Sequence, residues 1–168
     1  MAQLIHVAEP TVEDALFDWR ASLARIESDA PFSNYPGIDR SMVLIGDSAM
    51  VTHRRISIGM TRHSQPLVFA GEDALDMSIP NEPVTVFNFM SRRGVQHKLS
   101  RMHCGPDFQL SRDKTTKLFF ALEDDMMIAN GVRMPLHSSV MIHPAAAGRP
   151  DPDLRFAHHG EVLLAEVG

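Results

Sequence analysis

Between Trp19 and Val167 the chain repeats one composition: a short run rich in valine, isoleucine, leucine and phenylalanine, closed by glycine, proline or a charged turn. The runs are WRASLARI, SMVLIG, AMVTH, PLVFAG, ALDMSI, VTVFNFM, HKLSRM, TKLFFAL, DMMIA, HSSVMIH and EVLLAEV. Many short strands at close spacing with turn signals between them predict an all-β, antiparallel sandwich or barrel. Helix signals are scarce. Only TVEDALFDW, residues 11–19, has a capping-box-like start, with Thr11 three residues ahead of Asp14, and it predicts one short helical turn. The stretch SRRGVQHKL separates two portions. Each holds a run ending in an acidic turn (IGDSA, LEDDM) and later a proline-led strand (QPLVFAG, MPLHSSVMI). That faint echo predicts two half-barrels, residues 1–94 and a smaller 95–168, joined as one compact unit.

Composition narrows the function classes. A chain of 168 residues, 44% hydrophobic and 22% charged, can bury a sizeable core. No apolar run approaches the ~20 residues of a membrane helix, and MAQLIHVAEP lacks a basic start followed by an apolar stretch. A cytoplasmic protein without a membrane partner is expected. Cys104 is the single cysteine, which excludes an internal disulfide and a thiolate cluster. A net charge of −5 argues against nucleic acid as a partner, and the local basic run Arg92, Arg93, Lys98 and Arg101 reads as a solvated strand end and turn. Association into a homodimer is left open.

The stretch PFSNYPGIDR, residues 31–40, is the stiffest in the sequence. YPGI fits a type II turn: Pro36 presets the first central residue and Gly37 supplies the positive φ of the second. Proline also extends the residue before it, so Phe32 and Tyr35 are held with little freedom. They either wall a ligand pocket or cap a barrel end, with Asp39 and Arg40 as ordinary surface charges in the second case. In FDWRASLARI the period of two places Asp18, Arg20, Ser22 and Ala24 on one face, opposite Trp19, Ala21 and Leu23. In VTVFNFMSRRG it places Val84, Val86, Asn88, Met90 and Arg92 together. Both faces of that second strand are apolar, so it is expected to be buried on both sides, and Asn88 must find partners or cost ~1–3 kcal/mol. Those partners are a structural hydrogen bond or a ligand.

Four segments, DWRASLARI, DAPFSNYPGIDR, PLVFAGE and FNFMSRRG, resemble in order and separation the HutD/Ves family of cupin-like proteins, associated with bacterial histidine utilisation. The resemblance is specific over residues 4 to about 94 and rests on general pattern beyond. It implies a bicupin, an RmlC-like pair of small antiparallel β-barrels. It also implies a pocket in the first barrel, for which small carboxylates of histidine degradation have been suggested. Two departures stand out. The family pattern ordinarily opens with a WKNGGG-like segment ahead of the part matching QLIHVAEP, so a first strand and a lysine of the pocket are expected to be missing. At Val86, relatives often carry an acidic residue.

Metal-binding cupins resemble one another in a His-x-His pair, a nearby Glu and a later His. This chain has nine histidines and no His-x-His. His137 and His143 fall on one face of a possible strand but ~20 Å apart, too far to share an ion. His97 and His103 fail in the same way, and His158 and His159 would point to opposite faces. No protein-bound metal and no other cofactor is expected, since no phosphate loop, dinucleotide fingerprint or nucleophile elbow occurs. Cys104 beside His103 has no orienting third group and reads as an inert thiol. Glu123, Asp124 and Asp125 read as a solvated turn, and the 11 methionines as core filler.

Recognition of a small anion remains. A guanidinium fork suits a carboxylate, more so in a partly dry barrel mouth, and Arg20, Arg40 and Arg92 are the candidates. Ser22, Ser33 and Tyr35 offer hydroxyls and Asn88 an amide, with Phe32 as a wall. Asp39 and Arg40 alternate, so Arg40 is expected to face the pocket while Asp39 holds the turn or pairs with an arginine. The expected function is a non-catalytic binding or regulatory protein for a small carboxylate such as urocanate, a formylated glutamate derivative or formate. The alternatives are a metal-independent isomerase or lyase, with Tyr35 or Asp39 moving a proton, and an interaction protein with no ligand.

Overall fold

The computed structural model describes residues 2–8, 16–80, 82–111, 113–144 and 153–168, and every regular element among them is a β-strand. All strand pairings are antiparallel. No helix among the described residues is long and apolar enough to cross a membrane. The helical turn expected over residues 11–19 falls largely on 11–15, outside the described residues, and Trp19 already begins a strand. By chain contacts two compact units form, Met1–Gln96 and His97–Gly168.

The first unit holds β1 (Ala2–Ala8), β2 (Trp19–Ile26), β3 (Ala30–Pro31), β4 (Ile38–Ile45), β5 (Ser48–His53), β6 (Ile56–Thr61), β7 (Leu67–Ala70), β8 (Leu75–Ser78) and β9 (Val84–Arg92). They form a five-stranded sheet ordered β1-β2-β9-β4-β7 and a four-stranded sheet ordered β3-β8-β5-β6. Alternation decides what each sheet buries. Met42, Leu44, Val84 and Val86 from the first sheet join Val51, Met60, Leu75 and Met77 from the second in one apolar cluster, each such side chain contributing about 1.5–3 kcal/mol by leaving water. As its two apolar faces predict, β9 is buried on both sides, with Phe87 and Phe89 at 0% exposure and Val86 at 1%. The β5–β6 hairpin turns on Arg54 and Arg55, both at positive φ (50° and 67°), as a two-residue turn requires. Arg54 is held by Asp73 at 2.9 Å.

The second unit holds β10 (His97–Cys104), β11 (Thr116–Ala121), β12 (Met127–Ala129), β13 (Val132–Arg133), β14 (Ser139–Ile142), β15 (Leu154–Phe156) and β16 (Gly160–Val167). One sheet runs β10-β16-β11-β14 and the other β13-β12-β15. Its interior is filled by Phe119, Met126, Met127, Val140, Phe156 and Leu164, with Phe108 edge-on to Phe119 and Phe156 at 5.8 and 5.1 Å. Met126 and Met127 are fully buried, so methionine does fill the core here. Each of the eleven apolar runs carries a strand, whereas β3 and β13 are too short to leave a pattern. In β6, ISIGMT lacks clean alternation because only Met60 is buried. His137 lies in a turn at φ 61° rather than in a strand with His143, and His158 and His159 occupy a bend.

Candidate functional site

Three strands of the first unit lay out the floor of a cavity in rows. Arg20 on β2 pairs with Met90 on β9, which pairs with Arg40 on β4. The next row is Ser22, Asn88 and Met42, and the one after it Ala24, Val86 and Leu44, of which Met42 and Leu44 lie in the apolar cluster and not in the cavity lining. Directly paired residues share a face, and strands two apart are about 10 Å apart, so two long arginine side chains can converge from either side of Met90. The cavity has a volume of about 140 Å³. Its remaining walls are Ile26, the stretch Ala30–Ser33, Tyr35 and, from β8, Met77.

The wall at residues 30–35 is fixed by its own turn and by its neighbours. The Ile38 amide donates to the Tyr35 carbonyl at 3.2 Å, and Gly37 has φ 76°, closing the type II turn. Tyr35 donates its amide to Gly71 at 2.8 Å, Gly71 donates to Ile38 at 2.7 Å, and Phe32 donates to Leu75 at 2.8 Å. A Cβ at Gly71 would overlap the Tyr35 carbonyl oxygen, so the close approach requires glycine. From outside, the Arg93 amide donates to the Gly37 carbonyl at 2.8 Å, while the Arg93 guanidinium forks onto Glu72 at 2.7 and 2.9 Å and reaches Asp39 at 3.3 Å. The hydrogen bonds from Arg93 hold the Glu72 carboxyl below its ordinary range.

Arg40 is 3% exposed. Its guanidinium donates through Nη1 to the Ser33 carbonyl at 3.0 Å and through Nη2 to Asn88 Oδ1 at 3.3 Å. It lies 4.8 Å from the centre of the Phe69 ring, 5.3 Å from Phe32 and 5.6 Å from Tyr35, within cation–π range of all three. Burial pushes its pKa down to about 10, Tyr35 opposes the shift, and the like charge of Arg20 adds to it. The group therefore stays charged at neutral pH. The buried Nε of Arg40 and the buried Nε of Arg20 each have no hydrogen-bond acceptor. Among the described residues neither guanidinium is paired with a carboxylate. Two cations, each with an unpartnered Nε and with no counter-ion among the described residues, thus share one cavity.

Of the residues singled out from the sequence, Arg20, Ser22, Phe32, Ser33, Tyr35, Arg40 and Asn88 line this cavity. Asp39 and Arg92 do not. Asp39 points to the other face of β4 and meets Arg93. Arg92, at the end of β9, turns to Asp18, donating from Nε to Oδ1 at 3.0 Å and from its amide to the Asp18 carbonyl at 2.8 Å. Val86, where the family resemblance departs, lines the cavity as well. Sequence reading missed Phe69, the ring nearest Arg40. Phe69 is directly paired with Arg40 across β4 and β7, a contact that alternation within one strand cannot reveal.

Elsewhere, Cys104 is 3% exposed and burial pushes its thiol up to about 11, an unreactive state. His137 stacks on Phe120 at 5.7 Å, and burial lowers its pKa. Glu123 and Asp124 are exposed and accept the amides of Glu161 and Leu136 at 3.0 Å each, so this acidic turn fastens neighbouring chain. Among the described residues no three of His, Cys, Asp or Glu converge on a common point.

A family model described as HutD matches residues 2–163. Protein Ves of Cronobacter sakazakii (strain ATCC BAA-894) is 35% identical over 82 residues, 46% of this chain and 44% of that protein. The chain spans less than half the length of the curated relatives it matches. Among solved structures, HutD from Pseudomonas fluorescens SBW25 (formate condition) superposes with a TM-score of 0.79 at 21% identity, covering 99% of this chain and 86% of that one. A cupin 2 conserved barrel domain protein from Leptotrichia buccalis gives a TM-score of 0.65 at 10% identity over 100% and 88% of the two chains. At these identities the likeness establishes a cupin-like fold.

Proposed function

Because the chain belongs to the HutD family, and its fold presents a cavity with two uncompensated guanidinium groups, we propose that the first unit binds a small carboxylate, acting as a non-catalytic cytoplasmic binding or regulatory protein. One observation carries this reading: Arg40 is buried under three rings, next to the charge of Arg20, with Nε unpartnered and no carboxylate among the described residues beside it. A buried ion without a counter-ion costs several kcal/mol, and a bound anion offsets that cost by pairing with the two charges in a weakly screened site. Asn88, whose Oδ1 already accepts from Arg40, keeps its amide donors for the same guest. Among the described residues the lining contains no carboxylate, thiol or histidine to serve as a proton relay, and Asp39 faces away. That favours binding over the isomerase or lyase alternative, leaving Tyr35 as the one lining side chain able to move a proton.

Calorimetric titration with formate, urocanate and formylglutamate tests the reading, with Arg92→Gln as a control at an arginine outside the cavity. Saturable binding that survives Arg92→Gln and is lost in Arg40→Met is expected. No heat and no thermal shift with any of the three at millimolar concentration refutes it. Turnover of any of them, abolished in Tyr35→Phe, would instead support an enzyme.

A further inference from the structure

The cavity's charge is confined to one end. Along β2 its lining runs from Arg20 through Ser22 and Ala24 to Ile26, and along β9 from Met90 through Asn88 to Val86, so a charged row gives way to a polar row and then to apolar ones. Successive rows lie about 6.5–7 Å apart. The far end adds Met77, Ala30 and Pro31, all apolar. Among the described residues Arg20 and Arg40 are the only ionisable ones lining the cavity apart from Tyr35, with no Asp or Glu.

We propose that the guest is a monocarboxylate with a short apolar tail, its carboxylate between Arg20 and Arg40 and its tail running over Ala24 and Val86 toward Ile26. This rests on the reading of the cavity as a carboxylate site. A second carboxylate held over Val86 and Met77, each 1% exposed, would meet no side chain that donates a hydrogen bond, and burying an unpaired charge is strongly unfavourable; only one carried past Ala30 and Pro31, which are exposed, would reach water. An α-ammonium group is rejected for the complementary reason. No carboxylate among the described residues lines the cavity to pair with it, and the nearby cations Arg20 and Arg40 would repel it. Amino acids, and dicarboxylates short enough to stay inside, are therefore disfavoured by the described lining, while short aliphatic monoacids fit it. Size sets the limit: about 140 Å³ compares with the roughly 150 Å³ in which a buried cavity holds one benzene, about six non-hydrogen atoms, so beyond the three atoms of the carboxylate the tail holds about three carbons.

Calorimetry on the full chain with acetate, butyrate, hexanoate, benzoate, glutarate and adipate tests this. Affinity should rise about threefold to fourfold per methylene from acetate to butyrate and level off as the cavity fills. Glutarate and adipate should bind at least about tenfold more weakly than monoacids of matching length, since their second charge stays unpaired. Ile26→Lys, at a partly exposed position, should turn that preference toward the diacids. A flat dependence on chain length, diacids binding as well as monoacids, or an Ile26→Lys protein with an unchanged ratio overturns the proposal while leaving the carboxylate site intact. Failure of every acid, acetate and formate included, overturns both.

Discussion

Replacing Arg40 by methionine asks whether its charge serves a ligand or the fold. The guanidinium is 3% exposed, touches three aromatic rings and donates hydrogen bonds of 3.0 and 3.3 Å. The substitution removes two hydrogen bonds from a charged donor, about 1.5–3 kcal/mol each, and cation–π attraction of about 0.5–1 kcal/mol per ring. The methionine sulfur returns roughly 0.3–1.5 kcal/mol against the same rings. Against the loss stands relief from desolvating an ion that has no counter-ion, several kcal/mol. The terms nearly cancel, so stability should change by no more than about 2 kcal/mol, or less than about 8 °C in Tm at roughly 2–4 °C per kcal/mol for a chain of this size. Carboxylate affinity should fall by about 10- to 150-fold, the value of one hydrogen bond to a charged group. Scanning calorimetry of both proteins, with and without millimolar butyrate, reads the two effects together. A Tm drop above about 12 °C would show that Arg40 is structural, and unchanged butyrate binding would refute its role in the site.

Three further outcomes follow from the geometry. Gly71→Ala drives a methyl into the Tyr35 carbonyl and should cost about 1–3 kcal/mol, seen as a lower urea midpoint, with weaker carboxylate binding because the wall at Phe32 and Tyr35 shifts; wild-type behaviour in both would refute the close approach. Asp29, Glu72, Asp73 and Asp113 are each held below the ordinary carboxylate range, chiefly by hydrogen bonds from the Ile79 amide, Arg93, Arg54 and Lys117 respectively. A carboxyl depressed in the folded state stabilises above its unfolded value and loses that contribution as pH falls toward the folded one, so Tm should hold from neutrality to about pH 5 and decline below about pH 4. Asp113→Asn should flatten that decline, and a Tm that rises on acidification would contradict it. Cys104 should resist a disulfide reagent at pH 8 in the folded protein and react fully in guanidinium, whereas rapid reaction without denaturant would contradict its burial.

Much of the site was legible along the chain. The period of two in WRASLARI and VTVFNFM put Arg20, Ser22 and Ala24 on one face and Val86, Asn88 and Met90 on another, and these faces do line the cavity. The Pro36–Gly37 corner was legible as a turn because its backbone preferences are intrinsic to those two residues. Arg92 was misplaced by the same rule that placed Asn88. Alternation gives the face of a strand, but not that the strand's last residue leaves the cavity to meet Asp18, far back in the chain.

By itself the sequence determined an all-β chain, where most of its strands run, which way their side chains alternate and where the stiff corner falls. All of these follow from local backbone preference and side-chain periodicity. Tertiary structure alone decided that β2, β9 and β4 are neighbours, that Arg20, Met90 and Arg40 share a row, and that Phe69 completes the rings around Arg40. Those placements depend on which apolar faces bury one another across tens of residues, and that burial leaves two like charges in one cavity with no counter-ion among the described residues.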